Sequence, residues 1–445
     1  RELANVLADL RRFDEALAEC AIARDLDPQS PYTYCTRGRV LAMTGRPEEA
    51  KEDYRQAIGL SVDVTFAISS LVELCQSHSE RRAALQFVEQ ELIRQVVFGD
   101  GLLAFRDLAQ PVLEPEELLA SLRVALKERP DLWHAHSAVI QQLTEMGRYE
   151  EALLCANEAT ARFPLLPRLW LDLARIHQAR HHHSAEVQAL EEALQINPGW
   201  SHAVRQLAGA YHRDGQLTRA SEILQNAVAL DPLNAVNHGA LADVLWHLDD
   251  KEAAVEQARR AILLHPGYDW PWRAIREWST QLKKPELAVN LARDLTQRRG
   301  GEALSWLRLA EMVNGPEDLQ ECLAALDKAV ALNPRCEPAW DLRALSLARA
   351  NRWDEALAAC RPPAWKTPPV TLRSRAAWIQ RQRGCLPEAI AEMRAVLKEN
   401  PDNYWCWREL ADWLWDSGSF EEARQAALKL TRLAPMDAVP FGYLG

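Results

Sequence analysis

The stretch "SHAVRQLAGAYHRDGQLTRASEILQNAVALDPLN", residues 201–234, contains two apolar patterns with the spacing of an α-helix. In each pattern the apolar residues recur at i, i+3, i+4 and i+7, which is typical of a helix with one buried face. The segment "DGQLTR" separates the two patterns, and Pro232 ends the second, because proline cannot continue a helix interior. The stretch therefore predicts two antiparallel helices joined by a short turn.

The same pattern returns along the chain with a period of 34 residues. Units beginning at 31, 65, 99, 133, 167, 201, 235, 269, 303 and 337 keep this period; one residue is then lost, and units begin at 370, 404 and 438. The frame gives twelve full units and a partial unit at each end. Alanine recurs at unit position 20, where a small side chain lets two helices pack closely: Ala16, Ala50, Ala84, Ala152, Ala220, Ala254, Ala288, Ala356, Ala389 and Ala423. This period indicates an array of helix pairs.

The repeat resembles the tetratricopeptide repeat family over essentially the whole chain. That family has a large residue at position 4, Leu at 7, Gly or Ala at 8, Ala at 20 and 27, and Pro at 32, and the units beginning at 31, 201 and 235 match it at nearly every position. The resemblance implies an all-α fold, a right-handed superhelical α-solenoid of about 12 to 13 repeats. Two units depart from the pattern, with Glu91 where Ala is expected and Arg106 where Gly or Ala is expected.

These departures divide the array into segments. We expect N-terminal units at 1–64, divergent units at 65–132, regular units at 133–336, an irregular unit at 337–369 and C-terminal units at 370–445, where the array is truncated. In the irregular unit, Pro362 and Pro363 fall where the second helix would continue, which predicts a short helix, a bend and a place for Trp365 in the gap. Since neither end shows a polar capping element, we expect the chain to be part of a larger protein or complex.

Composition argues against several classes of protein. A formal net charge of -11 disfavours broad phosphate contact, so nucleic acid is not an expected partner. Nine cysteines without a Cys-x-x-Cys pair argue against a zinc ribbon or a disulfide framework and favour a reducing compartment. With no signal peptide and no run of about 18 apolar residues, the sequence predicts a cytoplasmic protein without a membrane segment.

Sixteen tryptophans are many for such a chain, and some have a plain structural interpretation. Five occupy unit position 4, where the family has a core residue, and we interpret them as packing residues: Trp170, Trp272, Trp306, Trp340 and Trp407.

Other tryptophans fall on a second stripe of the first helices. In "NYWCWRELADWLWDSG", residues 403–418, this stripe contains Trp405, Arg408, Asp412 and Trp415, whereas Trp413 is expected to pack against a neighbouring helix. The resemblance implies that the stripe lines the concave wall of the superhelix, where the same positions hold Trp246, Trp270 and Trp378. Exposed tryptophan indicates an interface, so we predict that these rings bind a partner. The alternative is that the rings bury one another.

Arginine and histidine share this predicted wall. Its basic members are Arg168, Arg175, Arg205, Arg213, Arg273, Arg381 and Arg408, accompanied by His202, His212 and His247, and its acidic members between 167 and 281 are only Asp243 and Glu277. Arginine pairs carboxylates and stacks on rings, so the expected partner is an acidic or carboxylate-bearing peptide. The alternative is a solvated face whose arginines form ion pairs with neighbouring repeats.

No catalytic constellation is present in the sequence. His177 and the run His181–His183 form the one metal-like cluster, but without a completing Cys or carboxylate we expect no metal site and no cofactor. The predicted function is therefore a non-catalytic protein-interaction scaffold. Two alternatives stay open: the recognition arm of a larger enzyme, such as a protease, glycosyltransferase or defence ATPase, and a prenyltransferase α-subunit, which Tyr404–Trp407 weakly resembles.

Overall fold

The computed structural model describes residues 1–95, 99–313, 315 and 318–434, and over these residues it is helical without a β-strand. The helices of the described residues number 26 and follow one another as antiparallel pairs. The prediction of an all-α solenoid of helix pairs is confirmed. The partial unit predicted from 438 lies outside the described residues.

The chain divides into two compact units, Arg1–Leu230 and Asp231–Gly445. The helices of the first unit are α1 (Glu2–Asp9), α2 (Phe13–Leu26), α3 (Pro31–Met43), α4 (Pro47–Leu60), α5 (Thr65–Glu73), α6 (His78–Arg94), α7 (Asp100–Ala109), α8 (Pro115–Glu128), α9 (Trp133–Glu145), α10 (Tyr149–Arg162), α11 (Pro167–Ala179), α12 (His183–Ile196), α13 (Ser201–Arg213) and α14 (Leu217–Leu230).

The second unit continues the same alternation of first and second helices. It contains α15 (Ala235–His247), α16 (Lys251–Leu264), α17 (Asp269–Gln281), α18 (Leu287–Arg298), α19 (Ala303–Met312), α20 (Leu319–Leu332), α21 (Glu337–Arg349), α22 (Trp353–Ala359), α23 (Val370–Gln382), α24 (Leu386–Glu399), α25 (Tyr404–Asp416) and α26 (Phe420–Leu433). From α3 onward, the first helix of each pair begins at or within one residue of the start that the 34-residue frame assigns to it.

A residue with positive φ makes the turn between the two helices of many pairs. Glycine occupies this place at Gly45, Gly147 and Gly215, with φ of 77°, 72° and 74°. In the first of these turns the N–H of Arg46 donates to the carbonyl of Leu41 at 3.0 Å, so the left-handed residue closes the helix end and directs the chain back.

The core of each pair is built around the recurring alanine. All ten alanines at unit position 20 are buried. Ala389, for example, lies in a cluster with Leu410, Trp413 and Leu414, which joins α24 to α25. Neighbouring pairs at this end of the second unit therefore share an apolar layer.

The tryptophans at unit position 4 have a hydrogen bond as well as a packing role. Each indole N–H donates to the carbonyl six residues earlier, where the preceding second helix has just ended: Trp170 to Pro164, Trp272 to Pro266, Trp306 to Gly300, Trp340 to Pro334 and Trp407 to Pro401, over 2.7 to 3.1 Å. Among the five, only the Trp272 ring is fully buried. The ring thus ties the start of one pair to the end of the previous one.

Helix α22 is short, with 7 residues where α24 and α26 have 14. Cys360 caps it, and Pro362 is buried directly afterwards. Trp365 in the following segment is half-buried. The proline pair accounts for the early end of this helix, because it removes backbone donors that the next turn would need.

Candidate partner-binding surface

A buried carboxylate lies beside predicted wall arginines in the first compact unit. Asp172 on α11 is buried and accepts hydrogen bonds from the hydroxyl of Ser137 and from Nε2 of Gln141, at 3.1 Å for the amide. The Gln141 side chain in turn accepts from Arg106 Nη1 at 3.2 Å, and Arg106 also forms an ion pair with Glu145. This chain of polar groups joins the first helices α7, α9 and α11. It also explains Arg106, the departure from the repeat pattern.

Two predicted binding arginines face this carboxylate. Arg168 Nε lies 3.7 Å and Arg175 Nη1 lies 3.6 Å from Oδ1 of Asp172. Burial raises the pKa of Asp172 and lowers the pKa of Arg175, because each charged form loses hydration. The pKa of His202 is lowered by burial and then by the charges of Arg175 and Arg205.

Arg213 differs from the expectation of a freely presented guanidinium. Its Nη2 forms an ion pair with Oε1 of Glu186, a buried residue on α12. Arg205 and His212 are both half-buried on α13. Carboxylates that the sequence frame did not place on the wall therefore partly offset the basic strip of the first unit. Arg168 and Arg175 face Asp172 on their own helix α11. The ion pair of Arg213 with Glu186 of the preceding repeat corresponds to the alternative expected from sequence.

A group of stacked indoles occupies the predicted wall at the start of the second unit. Trp246 and Trp278 lie parallel, with ring centroids 4.3 Å apart and planes 6° apart, and the edge of Trp270 meets Trp278 at 6.1 Å. Lys251 Nζ lies 4.1 Å from the Trp246 ring centroid. Trp246 was expected to be exposed, but it is 8% exposed, because Trp278 and Lys251 lie against it. Trp270 is half-buried.

Two polar members of the wall accompany these rings. His247 is exposed, and its Nδ1 lies 2.8 Å from the carbonyl oxygen of Asp243. Arg273 is exposed on α17, where it lines a cleft of about 660 Å³ together with His247 and the three indoles.

The helix α25 presents two tryptophans to solvent. Trp405 is 37% exposed and Trp415 is 48% exposed, and Arg408 between them is exposed as well. Trp413 is buried in the apolar layer between α24 and α25, and Asp412 is half-buried. Of the sixteen tryptophans, all of which lie in the described part of the chain, only Trp405 and Trp415 are exposed.

An arginine on α23 connects this surface to the preceding pair. The Arg375 guanidinium lies 5.9 Å from the Trp405 ring centroid and 5.6 Å from that of Trp378, which is half-buried. Two hydrogen bonds of 2.8 and 2.9 Å hold it to the carboxylate of Asp341 on α21. The ion pair fixes the guanidinium beside the ring, so Trp405 is supported from one side.

The far end of α25 has its own supports. The Trp415 ring meets Phe420 edge-on, with centroids 5.0 Å apart. Arg381 Nη2 donates to Oδ2 of Asp416 at 2.6 Å, which joins α23 to α25 and commits this predicted binding arginine to an ion pair. Arginine-carboxylate bonds between first helices thus recur at separations of 34 or 35 residues.

Three side chains that contact predicted binding residues were not identified from the sequence: Arg375, Trp278 and Phe420. The position of Trp278 in its unit is that of Trp413, so the frame itself could have found it. Arg375 and Phe420 carried no such signal, because their value lies in contacts with Trp405 and Trp415 on another helix.

The histidine cluster has a conformational explanation. His181 has a positive φ of 58° and takes the turn position that glycine holds elsewhere, and the His177 and His182 rings are 6.3 Å apart. Among the described residues, no group of three or more His, Cys, Asp or Glu side chains is arranged to hold a metal ion. Within the same residues, every helix is too short or too polar to cross a lipid bilayer.

Comparison with known proteins bears on the repeat itself. A family model described as tetratricopeptide repeat matches residues 381–439, and another of the same description matches residues 1–62 and 143–199. One similar solved structure is "Structure of Naa15/Naa10 bound to HypK-THB", with 14% sequence identity and a TM-score of 0.43 over 97% of this chain and 74% of that chain. No curated protein matches the sequence.

Proposed function

The chain is a tetratricopeptide repeat protein, and we propose that it is a non-catalytic scaffold that binds a partner polypeptide on the face formed by its first helices. The observation that carries the proposal is the pair of exposed rings on α25, Trp405 and Trp415, with the exposed Arg408 between them. Large exposed rings are costly to leave in water, and tryptophan and arginine together are the residues that most often anchor protein interfaces.

The supports of these rings favour a binding role over incidental exposure. Arg375 is fixed by Asp341 beside Trp405, and Phe420 packs on the edge of Trp415. Rings that are held in place before a partner arrives lose less conformational freedom on binding. This surface therefore has the rigid, partly apolar character of a pre-organised interface.

Charge gives the partner its proposed chemistry. Arg408 presents an exposed guanidinium between the two rings, whereas the Arg375 guanidinium near Trp405 is already bound to the Asp341 carboxylate. We infer a partner segment that combines apolar or aromatic side chains with carboxylates. A cytoplasmic location belongs to the same proposal, supported by nine cysteines that are all free.

The proposal is tested by removing the two rings together. In Trp405→Ala with Trp415→Ala, we expect partner recovery in a quantitative pulldown to fall at least about tenfold, since each ring is expected to contribute on the order of 1 to 2 kcal/mol. The matched control is Leu428→Ala on the second helix α26, because Leu428 is also 37% exposed. Equal recovery with the double variant and with the control would contradict the proposal.

A further inference from the structure

Helix α17 has a cleft on each side, and both clefts belong to the second compact unit. The arginine cleft, of about 660 Å³, is lined by Arg273, Arg276 and Arg308 over an apolar floor that includes Trp272 and Met312. The tryptophan cleft, also of about 660 Å³, is lined by Trp246, Trp270 and Trp278 with Arg273 and Glu277. Arg273 lines both.

The arginine cleft contains more cationic than anionic side chains. Arg308 is largely buried, and its charge is met by Asp269 and by Glu311, whose Oε2 is 2.8 Å from Nη1. Arg273 and Arg276 are exposed, three residues apart on one helix, and neither forms an ion pair with any residue in the part of the chain that the structure describes. The cleft therefore holds three guanidinium groups and two carboxylates, and both carboxylates are already bound to Arg308.

The tryptophan cleft has the opposite balance. Its lining contains three carboxylates, of Asp243, Asp249 and Glu277, against the cations of Lys251 and Arg273. Lys251 lies 3.3 Å from Asp249 and over the Trp246 ring. An added carboxylate would be repelled here, whereas a neutral ring would find the half-buried face of Trp270. The two clefts thus favour different side chains: the arginine cleft favours a carboxylate, and the tryptophan cleft favours an aromatic ring.

We propose that α17 recognises a partner segment in which a carboxylate side chain and an aromatic side chain lie close in sequence. The carboxylate is bound by Arg273 and Arg276, and the ring packs on Trp270. An α-helix is about 10 Å wide, a distance that two to four residues of extended chain span, so neighbouring side chains of one peptide reach both clefts. This inference rests on the proposed function and names the chemistry of the partner.

A set of synthetic peptides tests the inference on the whole chain by isothermal titration calorimetry. The probe is a capped peptide with two glutamates, one glycine and one phenylalanine; one companion has glutamines for the glutamates, and another has alanine for the phenylalanine. With the unchanged protein, we expect each replacement to weaken binding about tenfold or more, since a charged hydrogen bond or a buried ring is lost. No binding of the probe, or equal binding of all three peptides, overturns the inference.

Variants of the protein assign each side chain of the peptide to its cleft. In Arg273→Gln with Arg276→Gln, the glutamate and glutamine peptides should bind equally, whereas Trp270→Ala should remove the advantage of phenylalanine and keep that of glutamate. The control is Arg349→Gln with Arg361→Gln, which changes the net charge equally at exposed residues outside both clefts. A glutamate advantage that survives in the α17 variant, or is lost in the control, overturns the assignment.

The outcome of the peptide titration is independent of the outcome of the partner experiment. The titration uses the purified chain and substitutions on α17, whereas the proposed function is tested on α25 with a natural partner. Loss of partner binding with Trp405→Ala and Trp415→Ala, together with peptides that do not discriminate, would leave the proposed function standing and remove the inference about α17.

Discussion

The buried carboxylate of Asp172 changes the expected role of the two arginines beside it. From sequence, Arg168 and Arg175 formed part of a basic strip, yet both guanidinium groups face the buried Asp172 carboxylate. A charge that is buried with partial pairing contributes little or unfavourably to stability, because lost hydration opposes the ion pairs. The wall in this region is therefore less basic than the residue count suggests.

The raised pKa of Asp172 leads to a prediction about stability and pH. Burial holds the pKa of Asp172 in the folded state above its value in the unfolded state. At pH values between these two pKa values, the folded chain binds more protons than the unfolded chain, so the free energy of unfolding falls as pH rises through this range. The variant Asp172→Asn lacks this titration. We expect the thermal unfolding midpoint of the variant, relative to that of the unchanged protein, to increase as pH rises from about 4 to 7. A constant difference, or one of opposite slope, would contradict the assignment.

The tryptophans at unit position 4 give a second residue-scale prediction. Trp340→Phe keeps an aromatic ring but removes the indole N–H that donates to the Pro334 carbonyl at 3.0 Å. We expect a loss of about 1 kcal/mol in the free energy of unfolding, measured by urea titration. The control is Trp365→Phe, which removes a half-buried indole for which no hydrogen bond is observed in the described structure. Equal losses in the two variants would show that ring size rather than the hydrogen bond matters.

Sequence predicted the residue types at these positions but not all of their contacts. A large aromatic at position 4 was expected to pack, and its helical spacing was enough to show that. The bond to the carbonyl six residues earlier could not be predicted, since it depends on the path of the chain between two helices. The same holds for Arg381 and Asp416, which lie 35 residues apart and meet only because consecutive first helices lie side by side.

At the scale of elements, the repeat frame determined where the first helices begin. The start of each followed from the 34-residue period, and only α7 begins one residue late, at Asp100. The proline pair likewise indicated a short second helix, and α22 has 7 residues. The residue in the left-handed turn could not be predicted as well from sequence. The sequence pattern suggests glycine for this conformation, but other residues adopt it at His181, Asp249, Lys283 and Asn351.

The short helix α22 should be the weakest second helix of its neighbourhood. With 7 residues it forms few internal hydrogen bonds, whereas α24 has 14 residues and a longer apolar face. We expect amide hydrogens of 353–361 to exchange at least about tenfold faster than those of 386–399 in hydrogen exchange followed by mass spectrometry. Equal protection of the two segments would contradict the prediction.

At the scale of the molecule, the chain comprises two compact units, with a boundary between Leu230 and Asp231. The segment boundaries proposed from sequence at 64/65, 132/133, 336/337 and 369/370 follow departures from the repeat pattern and stay predictions about local irregularity. Repeat arrays contact mainly their sequence neighbours, so a regular pattern such as 133–336 carries no signal for a boundary inside it. The partner surface has the same origin, since each first helix adds its own exposed side chains.

The central claim is that the partner lies on the first-helix face, and site-specific photocrosslinking tests it most directly. A photoreactive phenylalanine is placed in turn at Trp405, at Trp415 and, as the control on α26, at Leu428. We expect the partner polypeptide to be crosslinked from the first two positions and not from the third. Crosslinking from Leu428 alone, with none from Trp405 or Trp415, would contradict the account.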